Sequence, residues 1–315
     1  MSILLNRHTR VLVQGITGKI GRAQTKWMLE YGTRIVAGVT PGKGGERVEG
    51  VPVFDSVLEA VRETGAEASV FFVPARGVKD TVFETLEAGI RLVVVVTEHV
   101  PVHDTMEMKA EAKKVGATLL GPTTPGILTV GEAKMGIIPG NLFPKTSGPA
   151  GVISRSGTLS YEVGGILAKA GIAPSTVVGM GADPVVLTDL PDLLRFFAAD
   201  PQTKLVTIVG EVGGVQEELA AEYIALEFRK PVVAYVAGRN TPEGKRMGHA
   251  GAIVQRGMGA SRARWPPWRR PASPSPAPPP RSGTSRGACC ADCHRHPLVV
   301  SRAGSSQSAH REAPA

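Results

Sequence analysis

The chain has 315 residues, of which 42% are hydrophobic, 20% charged and 5% aromatic. That is material for about two ordinary domains, since single cores stop growing somewhere below roughly 250–300 residues. The longest apolar runs, Leu92 to Val96 and Val232 to Ala237, fall far short of the roughly 20 residues of a membrane span. The opening MSILLNRHTRVLVQG lacks the cationic head and long apolar stretch of a secretion signal, so a membrane protein is excluded and the expected compartment is the cytoplasm. The net charge of +8 is concentrated at one end: residues 260–315 carry nine Arg against one Asp and one Glu, which leaves residues 1–259 near +1 and gives no reason to expect nucleic acid as a partner of that body.

Through residues 1–259 short β-branched runs alternate with helix-like stretches, the pattern of βα units around a parallel sheet. Strands are predicted over 10–14, 34–39, 68–73, 92–97 and 117–120, with helices over 21–31, 57–64, 78–88 and 102–115 between them. The stretch from Gly121 to Gly151 is rich in Gly and Pro and reads as a crossing between domains. A second α/β unit follows, with strands over 151–154, 176–179, 205–210 and 232–236 and helices over 158–170, 190–199 and 215–228. All these strands are continuous apolar runs rather than alternating ones, as expected when helices cover both faces. The resulting division is 1–145, 146–259 and a tail, 260–315.

The tail holds ten of the 25 prolines, all three cysteines, and no Leu, Ile, Val or Phe beyond Leu298, Val299 and Val300. It cannot bury enough apolar surface to offset its ordering entropy, so it reads as disordered. The residue alphabet changes abruptly after Gly259, as a frame-shifted or wrongly joined reading of a GC-rich gene would make it. Cys289, Cys290, Cys293, His294 and His296 stand at short spacing, yet without folded context they read as chance composition rather than a zinc site. With no cysteine elsewhere, the body forms no disulfide, which suits a reducing compartment.

The first predicted strand runs directly into GITGKIG, with Gly15, Gly18 and Gly21 at the turn that opens a helix. Such a turn either lets the backbone approach a phosphate, whose charge meets free N–H groups and the positive helix end, or is simply a tight packing turn. The second strand leads into TPGKGG, with Lys43 where a nicotinamide dinucleotide site would want a carboxylate for the ribose. A cation there favours a ligand with additional phosphate, and coenzyme A fits. In GVISRSGTLSYE, residues Ser154 to Thr158 lie between a strand and a helix, a position that serves as an anion seat or as an ordinary helix cap. Glu211, in GEVGG, stands at the carboxyl end of a strand, where α/β sites assemble. His249 lies in KRMGHAGAI, a stretch without helical or strand periodicity. A neutral imidazole on such a loop can act as a nucleophile or carry a phosphoryl group.

Taken together, GITGKIG, AGVTPGKGG, VVTEHVP, GVISRSGTLSYE, GEVGG and GKRMGHAGAI resemble the alpha-subunit family of the succinyl-CoA synthetases, nearly without gaps from Met1 to about Gly259. The resemblance implies an N-terminal Rossmann-like CoA-binding domain followed by a flavodoxin-like ligase domain. It implies that Thr17, Gly18, Lys19 and Ile20 hold CoA, that Lys43 meets its phosphate region, and that Val96, Thr97 and Glu98 meet its far end. It makes His249 the transiently phosphorylated residue, positioned by Glu211. Ser154, Ser156, Gly157 and Thr158 cradle the phosphoryl group, and Tyr161 stands near succinate. It also implies an ATP-grasp beta subunit that binds ATP or GTP with Mg²⁺ in a hetero-oligomer of the citric acid cycle.

Two departures from the family pattern stand out. The family's GPNCPG is GPTTPG here, with Thr123 and Thr124 in place of Asn and Cys, a place where acid specificity can turn. The family also continues past Gly259 with a helix, a strand and a final helix, so their replacement by the tail leaves an unpaired strand edge. Three other readings stand beside the first: an NDP-forming ligase for malate, citrate or acetate; a CoA-binding module with impaired catalysis; and a nucleic-acid arm in the Arg-rich tail.

Overall fold

The computed structural model describes residues 3–238, 241–242, 244–245 and 248–253, together with the backbone of 299–301. Two parallel-rich sheets flanked by helices follow one another along the chain. The first unit comprises β1 (Val11–Gln14), α1 (Lys19–Tyr31), β2 (Ile35–Val39), β3 (Arg47–Val48), β4 (Val51–Phe54), α2 (Val57–Thr64), β5 (Ala68–Phe71), α3 (Val78–Glu87), β6 (Leu92–Val95), α4 (Val102–Val115) and β7 (Thr118–Leu120). Its strand order is β3-β4-β2-β1-β5-β6-β7, parallel except where β3 meets β4.

Period-two geometry explains why β1 is apolar throughout. Val11 and Val13 enter the buried cluster on one face, and Leu12 enters that on the other. Because β2 pairs on one side of β1 and β5 on the other, the strand order reverses at the carboxyl end of β1. That is where open α/β sheets form a ligand crevice.

The second unit comprises β8 (Gly126–Thr129), β9 (Ala133–Gly136), β10 (Ala150–Ser154), α5 (Gly157–Lys169), β11 (Pro174–Gly179), α6 (Leu190–Ala199), β12 (Leu205–Glu211), α7 (Gln216–Leu226), β13 (Val232–Ala237) and β14 (Val299–Ser301). Its order, β14-β13-β12-β10-β11-β8-β9, reverses at β10, between β11 and β12. Ser154 and Glu211 stand at the two strand ends bordering that reversal.

Two expectations need correction. The Gly- and Pro-rich stretch after β7 is not a plain crossing: β8 and β9 form an antiparallel hairpin, and β8 adds antiparallel to β11. The division at 145/146 therefore cuts through the second sheet. The glycines misled because they serve close backbone approach inside the hairpin. A Cβ on Gly126 would lie 1.9 Å from the Met135 carbonyl oxygen, and one on Gly136 would lie 2.4 Å from that of Pro125.

The second concerns the sheet edge, where Val299–Ser301 pair antiparallel with Val232–Ala234 of β13. The expected bare edge is covered there by part of the tail's single apolar run. The remainder of the tail, with its Cys and His cluster, lies outside the described residues.

The hairpin also ties the two units together. Thr33 donates its hydroxyl to the Lys134 carbonyl at 2.8 Å and accepts the Lys134 N–H at 2.9 Å, while Thr129 donates its hydroxyl to the Leu5 carbonyl at 2.6 Å. Lys134 is buried, and its amine donates to the Ile138 carbonyl at 3.0 Å. Burial pulls its pKa down to about 8.

Candidate active site

Both sheet reversals place a helix N-terminus in the crevice, and these two helices share a property. Among the described residues, neither α1 nor α5 carries an acidic residue in its first turn, whereas each of the other five α-helices does. An acidic first turn offsets the positive helix end, so these two are the ends left to meet an external anion.

At α1 the N-cap is Gly18, in extended conformation and with no side-chain cap, so the first-turn N–H groups are not taken up by a side chain. Gly18, Lys19 and Ile20 are exposed. The flanking glycines have packing reasons of their own. Gly15 has φ +71°, and a Cβ on Gly21 would come within 2.2 Å of the Gly15 carbonyl oxygen. The tight packing turn and the phosphate-approach turn are thus the same structure.

Thr17 donates its hydroxyl to that of Thr40 at 3.2 Å, which draws the turn towards the loop of Lys43. The Lys43 ammonium is exposed and pairs with Glu46 at 3.1 Å, and Arg22 reaches the same carboxylate at 3.8 Å. Val96, Thr97 and Glu98 follow the carboxyl end of β6, where Thr97 donates its hydroxyl to the Val73 carbonyl at 2.7 Å. These features fit a ligand that carries several phosphates: uncapped amides, three exposed cations (Lys19, Arg22 and Lys43) and no buried acid.

At α5 the seat is charged and buried. Ser156 caps the helix, its side chain accepting the Leu159 N–H at 3.4 Å, and Ser154 donates its hydroxyl to the Ser156 carbonyl at 2.7 Å. Capping thus occupies one amide of the seat and stiffens the rest. Gly157 and Thr158 form the open first turn, and Tyr161 lies one turn further on, half-buried.

His249 meets this seat through Glu211. Its Nδ1 lies 2.6 Å from Glu211 Oε2, with the ring 36% exposed and the carboxylate 8%. The hydrogen bond to Glu211 raises the His249 pKa above its ordinary 6.5, with burial opposing. Glu98 is also within electrostatic range of His249, so the end of β6 in the first unit approaches the histidine loop of the second.

Sequence reasoning missed what holds Glu211. Arg155 and Glu217 are both buried and pair at 3.2 Å, and Arg155 also approaches Glu211 at 3.5 Å. Arg155 donates further to the Gly213 carbonyl at 2.8 Å, and Glu217 accepts the Glu211 N–H at 3.0 Å. The one available signal was a charged residue inside the otherwise small and apolar GVISRSG. A Cβ on Gly213 would lie 2.0 Å from the Gly251 carbonyl oxygen, so GEVGG and HAGAI are glycine-rich because their backbones touch. A separate cavity of about 930 Å³, lined by Trp27, Tyr31, Lys134 and Phe143 among others, includes none of the predicted site residues.

Residues 6–99 match the model of a CoA binding domain, and residues 153–264 that of a CoA-ligase. The succinate–CoA ligase [ADP-forming] subunit alpha 2 of Archaeoglobus fulgidus is 53% identical over 264 residues, covering 84% of this chain and 91% of that protein. The chain belongs to the succinate–CoA ligase alpha-subunit family. Members from distant sources show the same degree of likeness. The Aquifex aeolicus alpha subunit is 53% identical over 266 residues, covering 84% of this chain and 87% of that one, and the Staphylococcus aureus (strain Mu50) subunit is 49% identical over 261 residues, covering 83% and 86%. The fold extends to an ATP citrate lyase of Methanosaeta concilii, which superposes with a TM-score of 0.76 at 24% identity over 83% of this chain and 46% of that one. Among the described residues, no helix of this family member is long and apolar enough to cross a membrane.

Proposed function

We propose that this chain is the alpha subunit of a nucleotide-dependent succinate–CoA ligase of the citric acid cycle, and that His249 carries the phosphoryl group between its two half-reactions. The observation that carries this reading is the 2.6 Å contact of His249 Nδ1 with a buried carboxylate beside an acid-free helix N-terminus. With Nδ1–H donated to Glu211, the imidazole lone pair sits on Nε2 and can attack phosphorus.

In the direction from thioester to nucleotide, phosphate attacks the carbonyl carbon of succinyl-CoA. The C–S bond breaks, and CoA leaves as its thiol. His249 Nε2 then attacks the phosphorus of succinyl phosphate, and succinate leaves with the bonding electron pair as a carboxylate. Glu211 stabilises the cationic ring that forms. The first turn of α5, with Ser154, Ser156, Gly157 and Thr158, receives the phosphoryl oxygens, and Tyr161 stands beside the acid. Thr17 to Ile20, Lys43 and Val96 to Glu98 bind CoA at the other crevice. The loop then turns to a beta subunit of ATP-grasp type, whose nucleoside diphosphate takes the phosphoryl group in the presence of Mg²⁺. Covalent catalysis of this kind replaces one hard transfer by easier ones. The relatives of about 50% identity name succinate, which favours it over malate, citrate or acetate, and the assembly is expected to work in the cytoplasm.

The test is to incubate the full chain with a beta subunit, labelled ATP and Mg²⁺. Acid-labile, base-stable phosphate is expected on the chain and absent from His249→Asn. Phosphate that survives in the variant, or none on folded wild-type chain that binds CoA, would overturn the reading.

A further inference from the structure

A series of hydrogen bonds joins the end of β6 to the histidine loop through Thr123 and Asp183, two residues given no chemical role above. Thr97, anchored on Val73, accepts the Thr123 N–H at its carbonyl at 3.0 Å. Thr123 donates its hydroxyl to Asp183 Oδ1 at 2.9 Å. The carbonyl of the adjacent Ala182 accepts the Gly251 N–H at 3.2 Å, and the His249 carbonyl accepts the Ala252 N–H at 3.2 Å. The loop lies flush on this support, because a Cβ on Gly251 would stand 2.9 Å from the Ala182 carbonyl oxygen and 3.1 Å from the Asp183 carbonyl.

Two features show that the support is constrained rather than incidental. Thr123 has φ +56°, a left-handed conformation that a β-branched residue holds only when its surroundings impose it. Asp183 is 8% exposed, and Thr123, His99, Glu98 and His249 are the groups that act on it. Burial pushes its carboxyl above the ordinary value, opposed first by the Thr123 hydrogen bond. Thr124 fixes the far side, donating its hydroxyl to the Gly179 carbonyl at 2.6 Å and accepting the Gly126 N–H at 3.0 Å.

We infer that Thr123 and Asp183 are positioning residues for one half of the reaction, holding the His249 loop against the loop of Val96 to Glu98 while acid and thiol react. The inference rests on the function proposed above. Neither residue touches the reacting atoms. Their contribution is the geometry of the loop in the orientation that faces CoA, and they are idle once the loop has turned to the partner. Contacts that hold one of two loop arrangements contribute in that arrangement alone.

The experiment uses the complex of the full chain with a beta subunit. His249 is first phosphorylated with labelled ATP and then chased with succinate and CoA. Thr123→Val, which keeps the β-branch and removes the hydroxyl, is expected to slow the chase about tenfold while phosphorylation by ATP changes by less than about twofold. Thr123→Ser is expected to restore the chase. Asp183→Ala breaks the same bond from the other side and is expected to match Thr123→Val, the double variant being no slower than either. A chase at the wild-type rate in Thr123→Val, equal slowing of both half-reactions, or a Thr123→Ser as slow as the valine variant overturns the inference. Failure of the wild-type chain to become phosphorylated would instead remove the reading on which it rests.

Discussion

At the α1 turn the exposed residues Gly18, Lys19 and Ile20 surround uncapped amides, and no charge is buried beneath them. At the α5 turn the amides rest on Arg155, Glu211 and Glu217, which are 2%, 6% and 0% exposed. Both turns follow a central strand at a sheet reversal and both are suited to anions, yet they are stabilised in different ways. The first depends on backbone shape, so its defining residues are glycines a few positions apart. The second depends on desolvated charge, which must be compensated by side chains from elsewhere in the chain. A seat that binds a large polyphosphate through its backbone can stay in solvent. One that must orient a nucleophilic ring needs a fixed carboxylate, and a carboxylate is fixed by burying it with cations.

That contrast is broken most severely at Arg155. Replacing it with Leu removes the buried ion pair between Arg155 and Glu217, and the unfolding free energy measured by denaturant titration should fall by about 3–5 kcal/mol. No single substitution of an exposed α1-turn residue should approach that. The α1 turn is broken instead by volume. In Gly21→Ala the added methyl would meet the Gly15 carbonyl oxygen at 2.2 Å, and backbone displacement should outweigh the roughly 1 kcal/mol that alanine gains over glycine in a helix. A net loss of about 2 kcal/mol with weakened CoA binding by calorimetry is expected, whereas Gly18→Ala, whose nearest contact is 3.3 Å, should keep its stability far better. Ser156→Ala removes the α5 cap and should cost about 1 kcal/mol, read as a lower thermal midpoint.

The smallest expected effect is the pH-dependent part of the change in Glu211→Gln, that due to the loss of its pairing with His249. His249 has a raised pKa in the folded chain, so its pairing with Glu211 stabilises the fold fully below its ordinary 6.5 and is lost as pH rises through the raised value. Solvent around the partly exposed ring limits the contribution to less than about 1 kcal/mol. In the glutamine variant this pH-dependent contribution should vanish from a series of denaturation curves, and the His249 titration followed by NMR should move to lower pH.

How much of this was legible in the sequence follows from the same contrast. The GITGKIG turn, the Ser156 cap and the position of Glu211 at a strand end are local patterns, and each lies where its pattern places it. The Arg155 bonds to Glu211 and Glu217 span 56 and 62 residues, and no spacing rule joins them. Alternating β and α segments identified the parallel strands except β4, which pairs parallel with β2; it and the antiparallel additions were missed for specific reasons. β8 and β9 contain glycines used for close approach, and Pro52 interrupts β4, where it pairs with Arg47 beside the sheet edge. Val299–Ser301 belong to a segment whose composition predicts no structure, and only their short apolar run distinguished them.

The hairpin of β8 and β9 bears on how the molecule comes apart. It belongs to the second sheet by hydrogen bonding, yet Ile127 and Met135 lie in one continuous buried cluster with Val11, Val13 and Met28 of the first unit and Ile153 and Phe197 of the second. Neither sheet can lose its side of that cluster without exposing the other's. Although the chain carries two α/β units, calorimetry should therefore record one cooperative melting transition whose van't Hoff and calorimetric enthalpies agree. Thr33→Val, which cuts both hydrogen bonds to Lys134, is the substitution most suited to splitting that transition in two.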